Sequence, residues 1–360
     1  MKKTLNKSTR SNFITYGIVI VLFVALQVMV SRGMVTSSLQ GQLVPICVYI
    51  VMAVSLNLTV GILGELSLGH AGFMSVGAFT GVVAAMSLQS SVASGPIRLI
   101  LAVVIAGIFA AIAGILIGIP VLRLRGDYLA IVTLAFGEII KNILNNLYVG
   151  VDVNGLHLSM KSAAAMQMQA GTVIINGPMG AVGITKLSTF LSGFILILVA
   201  LAVTLNLIHS RSGRAIMAIR DNRIAAESVG INITKYKLMA FVTSAALAGM
   251  AGAIYAMNYS TIVPKKFDFN TSILVLVFVV LGGMGNIRGS IIAAAILTVL
   301  PELLRSFNDY RMLIYAIVLI LVMLATNNPT FKRFIQSITG KFKRSEPKKT
   351  VVEEGGSPHE

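Results

Sequence analysis

The side chains able to do chemistry are few, and they gather in three stretches. The first, "HSRSGRAIMAIRDNRIAAESVGINITKYK" (209–237), holds six Lys or Arg in 29 residues. It patterns as a helix from about Arg214 onward, with Ser212 as its cap. Gly230 is placed to end that helix in a left-handed conformation. The small side chains of Ala225 and Ala226 would let a partner's groove close around it, and the basic flanks could pair with acidic groups on that partner. The alternative is an amphipathic loop that anchors in lipid headgroups. The second stretch, "VGILGELSLGHAGFMSVGAFTG" (60–81), has Gly at 61, 64, 69, 72, 77 and 81. Small residues let helices approach closely. The functional alternative is a broken helix whose free backbone groups meet a polar solute. Gly61, Gly64, Glu65, Ser67, Gly69 and His70 are then the substrate-pathway candidates. Glu65 and His70 stand five residues apart, and ionisable groups at membrane depth are costly and often functional.

The third stretch, "GGMGNIRGS" (282–290), is not a nucleotide site. A phosphate-cradling loop needs G-x-x-x-x-G-K-[ST] after a strand, and no Lys follows a suitably spaced Gly here. The pattern G-x-G-x-x-G begun at Gly283 fails at Arg288. This is a Gly-rich turn. The four histidines, His70, His157, His209 and His359, are scattered, so no metal-ligand cluster or acid/base pair forms in the sequence. Glu138 and Lys141, three apart on one helical face, would pair with each other. The chain is therefore expected to catalyse nothing alone and to hold no cofactor or metal.

The elements that must position these residues are membrane spans. Of 360 residues, 56% are hydrophobic and only 12% charged, against about 25% charged in soluble domains. Apolar runs fall roughly at 13–30, 43–60, 66–88, 97–121, 127–148, 188–209, 238–257, 269–285, 289–307 and 311–326. A spanning helix takes about 20 apolar residues. The expected fold is an all-α polytopic membrane protein with about ten transmembrane helices. Its permease domain would run over 13–326, with a cytoplasmic tail at 1–12 and a second, largely disordered one at 327–360. The first apolar run is too long for a cleaved signal peptide. Gly61, Gly64 and Gly69 make 58–70 the least regular boundary.

Alternating the runs puts 20 of the 29 Lys and Arg on one side and 8 on the other. The positive-inside rule makes the richer side cytoplasmic, so both termini and the 210–237 loop are expected inside, and 149–187 outside as surface structure. The net charge of +16 sits in short loops and tails, not on a face that could follow a nucleic-acid backbone. Cys47, the one cysteine, lies in an apolar run, which excludes a disulfide framework. Spans 2–5 and 7–10 would be related by inverted topology, although the two halves do not visibly align.

Four segments carry a resemblance: "GELSLGHAGF" (64–73), "RLRGDYLAIVTLAFGEI" (123–139), "GRAIMAIRDNRIAAESVGINITKYKLMAFVTSAALAGMAGAIYA" (213–256) and "GGMGNIRGSIIAAAILTVLPELLR" (282–305). Over about 45–325 the chain resembles permease subunits of branched-chain amino-acid ABC importers, of the LivM type. In such importers a permease presents a short coupling helix, often marked E-A-A-x-x-x-G, to an ATPase. That pattern aligns with Ile224, Ala225, Ala226 and Gly230, so Ile stands where Glu is usual. The resemblance implies coupling contacts at Gly213, Arg214, Arg220, Asp221, Asn222, Ala225, Ala226 and Gly230. It implies as partners ABC ATPase subunits binding ATP and Mg, a second related permease, an external or periplasmic solute-binding protein and membrane lipid, in a bacterial inner membrane. The segment "VGVDVNGL" departs from the Gly-rich turn of relatives. The rival class is a secondary transporter or channel without an ATPase, for which Glu138 and Lys141 are the intramembrane charges available.

Overall fold

Each of the ten expected apolar runs carries a helix. The computed structural model describes residues 7–33, 36–123, 127–152, 155–166, 168, 171–305 and 310–327. Its α-helices are α1 (Lys7–Ser31), α2 (Ser37–Asn57), α3 (His70–Ser87), α4 (Gly95–Val121), α5 (Asp127–Asn145), α6 (Phe190–His209), α7 (Arg211–Asp221), α8 (Arg223–Ser228), α9 (Ile233–Ala256), α10 (Phe269–Gly282), α11 (Ile287–Leu303) and α12 (Arg311–Asn327). Among the described residues six stretches are long and apolar enough to cross a membrane: Ser38–Leu63, His70–Ser87, Gly95–Val121, Tyr128–Asn145, Phe190–His209 and Ile233–Ala256. The helices on the remaining four apolar runs, α1, α10, α11 and α12, are shorter in their apolar part, so six of the ten runs meet the spanning length. α1 begins at Lys7, within the segment expected as a tail. The stretch 328–360, His359 included, and the centre of the "RLRGD" turn lie outside the described residues.

Residues up to Asn308 form one unit, and α12 belongs to a second that begins at Asp309. Within the first unit α9 is the central post, packing on α2, α3 and α4. Small side chains make this possible. A Cβ on Gly77 of α3 would stand 2.0 Å from the Gly249 carbonyl of α9. The backbones therefore meet directly, as the small-residue reading of this stretch expects. Around that seam the core is aliphatic and aromatic, with Phe79, Phe241, Phe278 and Met52 fully buried.

The segment expected as surface structure is a sheet. β1 (Tyr148–Asp152), β2 (Gly155–Ser159), β3 (Thr172–Asn176), β4 (Ala181–Val182) and β5 (Thr261–Ile262) pair antiparallel in the order β2-β1-β3-β4-β5. β5 follows α9, so the sheet ties the loop after α5 to the loop after α9. It stands at one end of α6 and α9, while α7 and α8 stand at the other. Thr15 of α1 accepts from Arg288 Nε of α11 (2.6 Å), and the α10–α11 turn meets the end of α2. The basic segments assigned to one side, as far as they are described, thus gather at the α7–α8 end, opposite the sheet.

Candidate coupling surface

The non-spanning segment folds as two helices, not the single one expected. The backbone of Ser210 is extended, and its Oγ accepts from the Gly213 amide (3.0 Å), so α7 starts at Arg211 under a Ser210 cap and not at Arg214 under Ser212. A Cβ on Gly213 would meet the Leu207 carbonyl at 2.1 Å, so glycine lets α7 fold directly against the end of α6. Asn222 then leaves the helical region (φ −154°, ψ 103°) and its side chain accepts from the Ala225 amide (3.0 Å), ending α7 and opening α8. Asn competes with backbone partners in this way, which is why it interrupts a helix and caps the next. α8 closes on Gly230 at φ +82°, with Gly230 N–H donating to Glu227 and Ile231 N–H to Ala226. That pair of bonds is the Schellman motif. Asn232 caps α9 in turn.

One face of α7 is anchored. Ile216 packs in a buried cluster with Leu58, Ile62, Leu63 and Ala240, flanked by Leu207, Ile208, Met217 and Tyr236. α8 has the opposite character. Ala226 is buried, whereas Ala225 is exposed and Ile224 and Val229 are 81% and 75% exposed. The two alanines of the pattern therefore do not share one outward face: Ala226 belongs to the interior of this chain. Ile224 of α8 and Val229, the residue that follows it, are the large apolar groups presented here. Arg214 is exposed, its Nη1 donating to the His209 carbonyl at 3.4 Å.

The glycine-rich break lies against this segment. α2 continues as a π-helical turn over Leu58–Leu63, and Gly64 ends it at φ +80°. Arg220 lies over that turn. Its aliphatic stem covers Gly64, Nη1 donates to the Gly61 carbonyl (3.1 Å), and Nε and Nη2 donate to Asp221 Oδ1 (3.0 and 2.8 Å). From the other side Gly285 approaches so closely that a Cβ on Gly61 would stand 2.1 Å from its nitrogen. Asn57, buried, accepts from the Gly285 amide (2.8 Å) and donates to Ser290 Oγ (2.9 Å). Three connections, α2–α3, α6–α9 and α10–α11, are thus locked together at Asn57 and Gly61.

The remaining candidates disperse. Glu65 forms an ion pair with Lys237 of α9, with side chains 14% and 5% exposed. His70 is buried and its Nε2 lies 2.7 Å from Ser55 Oγ of α2. Glu65 and His70, close in sequence, therefore have different partners. Gly69 abuts the Thr133 carbonyl of α5, and Ser67 Oγ is buried without a hydrogen-bond partner among the described residues. Glu138 and Lys141 form the i,i+3 pair expected. Asn57 and Lys237 were not singled out from sequence, although Asn57 lies in an apolar run and Lys237 at the foot of one. Among the described residues no His, Cys, Asp or Glu group could hold a metal ion.

A polytopic helical bundle with a folded, capped, non-spanning helix pair at one end is the build of a membrane transport subunit. The chain belongs to the family described as "Branched-chain amino acid transport system / permease component", whose profile matches residues 38–323. It is 36% identical over 315 residues to the high-affinity branched-chain amino acid transport system permease protein LivM of Salmonella typhimurium, covering 85% of this chain and 71% of that one. Identity to the LivM of Escherichia coli is 37% over the same length and coverage. The LivH permease protein of the Salmonella typhimurium system matches over 129 residues at 33% identity, 35% of this chain and 42% of that protein. No solved structure matches. The chain is thus a multi-pass permease of a branched-chain amino acid transport family, a transporter subunit and not an enzyme.

Proposed function

We propose that this chain is the membrane-spanning permease of an ATP-driven importer that carries leucine, isoleucine, valine or related hydrophobic amino acids into the cytoplasm. α8 docks on separate ATPase subunits, which bind the ATP and Mg. The observation that carries this reading is the exposure of Ile224 and Val229 on a capped helix that does not span. Large apolar groups held out on a segment that does not span are available to a protein partner, whose own apolar surface would bury them. Ile224 occupies the place of the usual Glu, so the dock here is apolar where a charged contact is usual. α7, anchored by Ile216 and clasped to Gly61 through Arg220, would carry ATPase closure to the α2–α3 break as a rigid-body shift.

The partial likeness to LivH, a permease named for the same transport system as LivM, supports a second, related permease subunit beside this one. A solute-binding protein on the sheet side completes the assembly. The bias of 20 basic residues to 8 supports cytoplasmic termini and a cytoplasmic α7–α8 in a bacterial inner membrane.

The test is the pair Ile224→Asp and Val229→Asp. Both positions face solvent, so the permease should insert at normal levels. It should lose the ATPase on purification in mild detergent, and ATP-driven uptake with it. If both variants keep the ATPase and the uptake, α8 is not the dock and a secondary transporter becomes the better reading.

A further inference from the structure

A second site lies away from α8. α1 does not pack flush on the bundle. Between it and α2, α6 and α11 runs a slot of about 320 Å³. On this measure one water needs only ~10–15 Å³, so the slot has room for an elongated molecule. Its walls are Val19, Leu22, Phe23, Ile46, Cys47, Ile50, Phe194, Ile292 and similar side chains, and only Thr15 and Arg288 bring polar groups. Water would find almost no partners along it. Phe23, in the slot wall, stacks on Phe194 (centroids 3.8 Å apart) and Phe190 (4.8 Å).

The two polar residues meet each other: Arg288 Nε donates to Thr15 Oγ1 at 2.6 Å. The guanidinium therefore marks one end of the slot, and the rest of its length is hydrocarbon. That is the end at which α1 begins. An apolar slot within a membrane bundle, with a guanidinium at one end, suits a phospholipid with its acyl chain in the slot and its phosphate at the cation. A basic side chain near the membrane surface favours anionic lipid. α1 itself lies outside residues 38–323, the region that the family profile matches.

We infer that the slot between α1 and the α2–α6–α11 face holds one acyl chain of an anionic phospholipid whose phosphate sits at Arg288. The lipid fills the gap that α1 leaves and fastens α1 to the bundle. The inference needs only that the chain is embedded in a membrane. It does not depend on the ATPase dock.

The test uses the full chain in lipid nanodiscs. Phosphatidylglycerol and phosphatidylcholine, each with a photoactivatable acyl chain, are cross-linked to the wild-type protein and the labelled peptides mapped. Phosphatidylglycerol should label the segments around Ile46–Ile50, Phe194 and Ile292 in preference to phosphatidylcholine. Arg288→Gln keeps a polar partner for Thr15 but removes the charge. It should cut that preference by roughly fivefold, the factor that about 1 kcal/mol per basic side chain gives. Ala295→Phe, which fills the slot, should reduce labelling there by both lipids. Equal labelling of the slot by both lipids in the wild type, or labelling spread evenly over lipid-facing positions such as Ile108 and Leu116 of α4, overturns the inference. So does a preference that survives in Arg288→Gln. The wild-type map decides alone if a variant fails to insert.

Discussion

Lys237→Met tests whether the glycine-rich break is fastened to the foot of α9 by charge. In the wild type Lys237 and Glu65 pair with side chains 5% and 14% exposed, and their residues lie 172 apart in the chain. Removing the lysine leaves a carboxylate with little access to water. Breaking a buried pair by deleting one partner costs about 3–5 kcal/mol, because the surviving charge is left uncompensated. Glu65 keeps some exposure, which places the expected loss at the lower end of that range. Glu65→Gln alone should cost less, since the remaining ammonium sits at the foot of α9 and its flexible stem can carry it toward water. The double variant Glu65→Gln with Lys237→Met removes both charges and should recover at least ~1.5 kcal/mol relative to the sum of the single losses. The assay is reversible denaturant unfolding of the purified permease in a mild-detergent micelle, with all four proteins on one cycle. Strict additivity, or a Lys237→Met variant as stable as the wild type, would refute the reasoning and show that the two groups are solvated independently.

Gly61→Ala should destabilise by about 1–3 kcal/mol through overpacking, because the new Cβ would meet Asn57 Oδ1 at 1.9 Å and Gly285 N at 2.1 Å; thermal unfolding in detergent measures it. Gly230→Ala should cost only ~1 kcal/mol, the left-handed penalty, since nothing stands near its Cβ and only φ +82° opposes the change; the same unfolding assay separates the two glycines. Asn57→Leu strands the Gly285 amide and removes one donor from Ser290 Oγ, which keeps its own bond to the Asn286 carbonyl, a loss of about 1–3 kcal/mol for the stranded amide, read as lowered denaturant midpoint. Ala226→Glu should reduce the folded yield while Ala225→Glu does not, because only Ala226 is buried; size-exclusion profiles of the two variants check this. Single cysteines at Ser228 and Ser162, with Cys47 replaced, should differ in intact cells: an impermeant maleimide should label position 162 and spare 228, and the reverse pattern would invert the proposed orientation.

The class of protein was legible without coordinates. Hydrophobicity over about 20 residues is a local property, and each apolar run carries a helix because backbone groups in hydrocarbon must satisfy one another within the segment. Gly230 was also legible as a helix end, since a left-handed residue after a run of helix formers is a local signal. Where two caps competed the sequence was less decisive: Ser210 and Ser212 are equally good capping types, and only the fold of α7 against the end of α6 selects Ser210. α8 is six residues long, less than two turns, so periodicity could not say which of Ala225 and Ala226 faces inward. The tertiary structure alone set Arg220 on the Gly61 carbonyl, Glu65 on Lys237 and Asn57 on the α10–α11 turn. Each of those contacts joins residues more than 150 positions apart, and it is the packing of α2 against α7, α9 and α11, not any local pattern, that brings them within hydrogen-bonding reach.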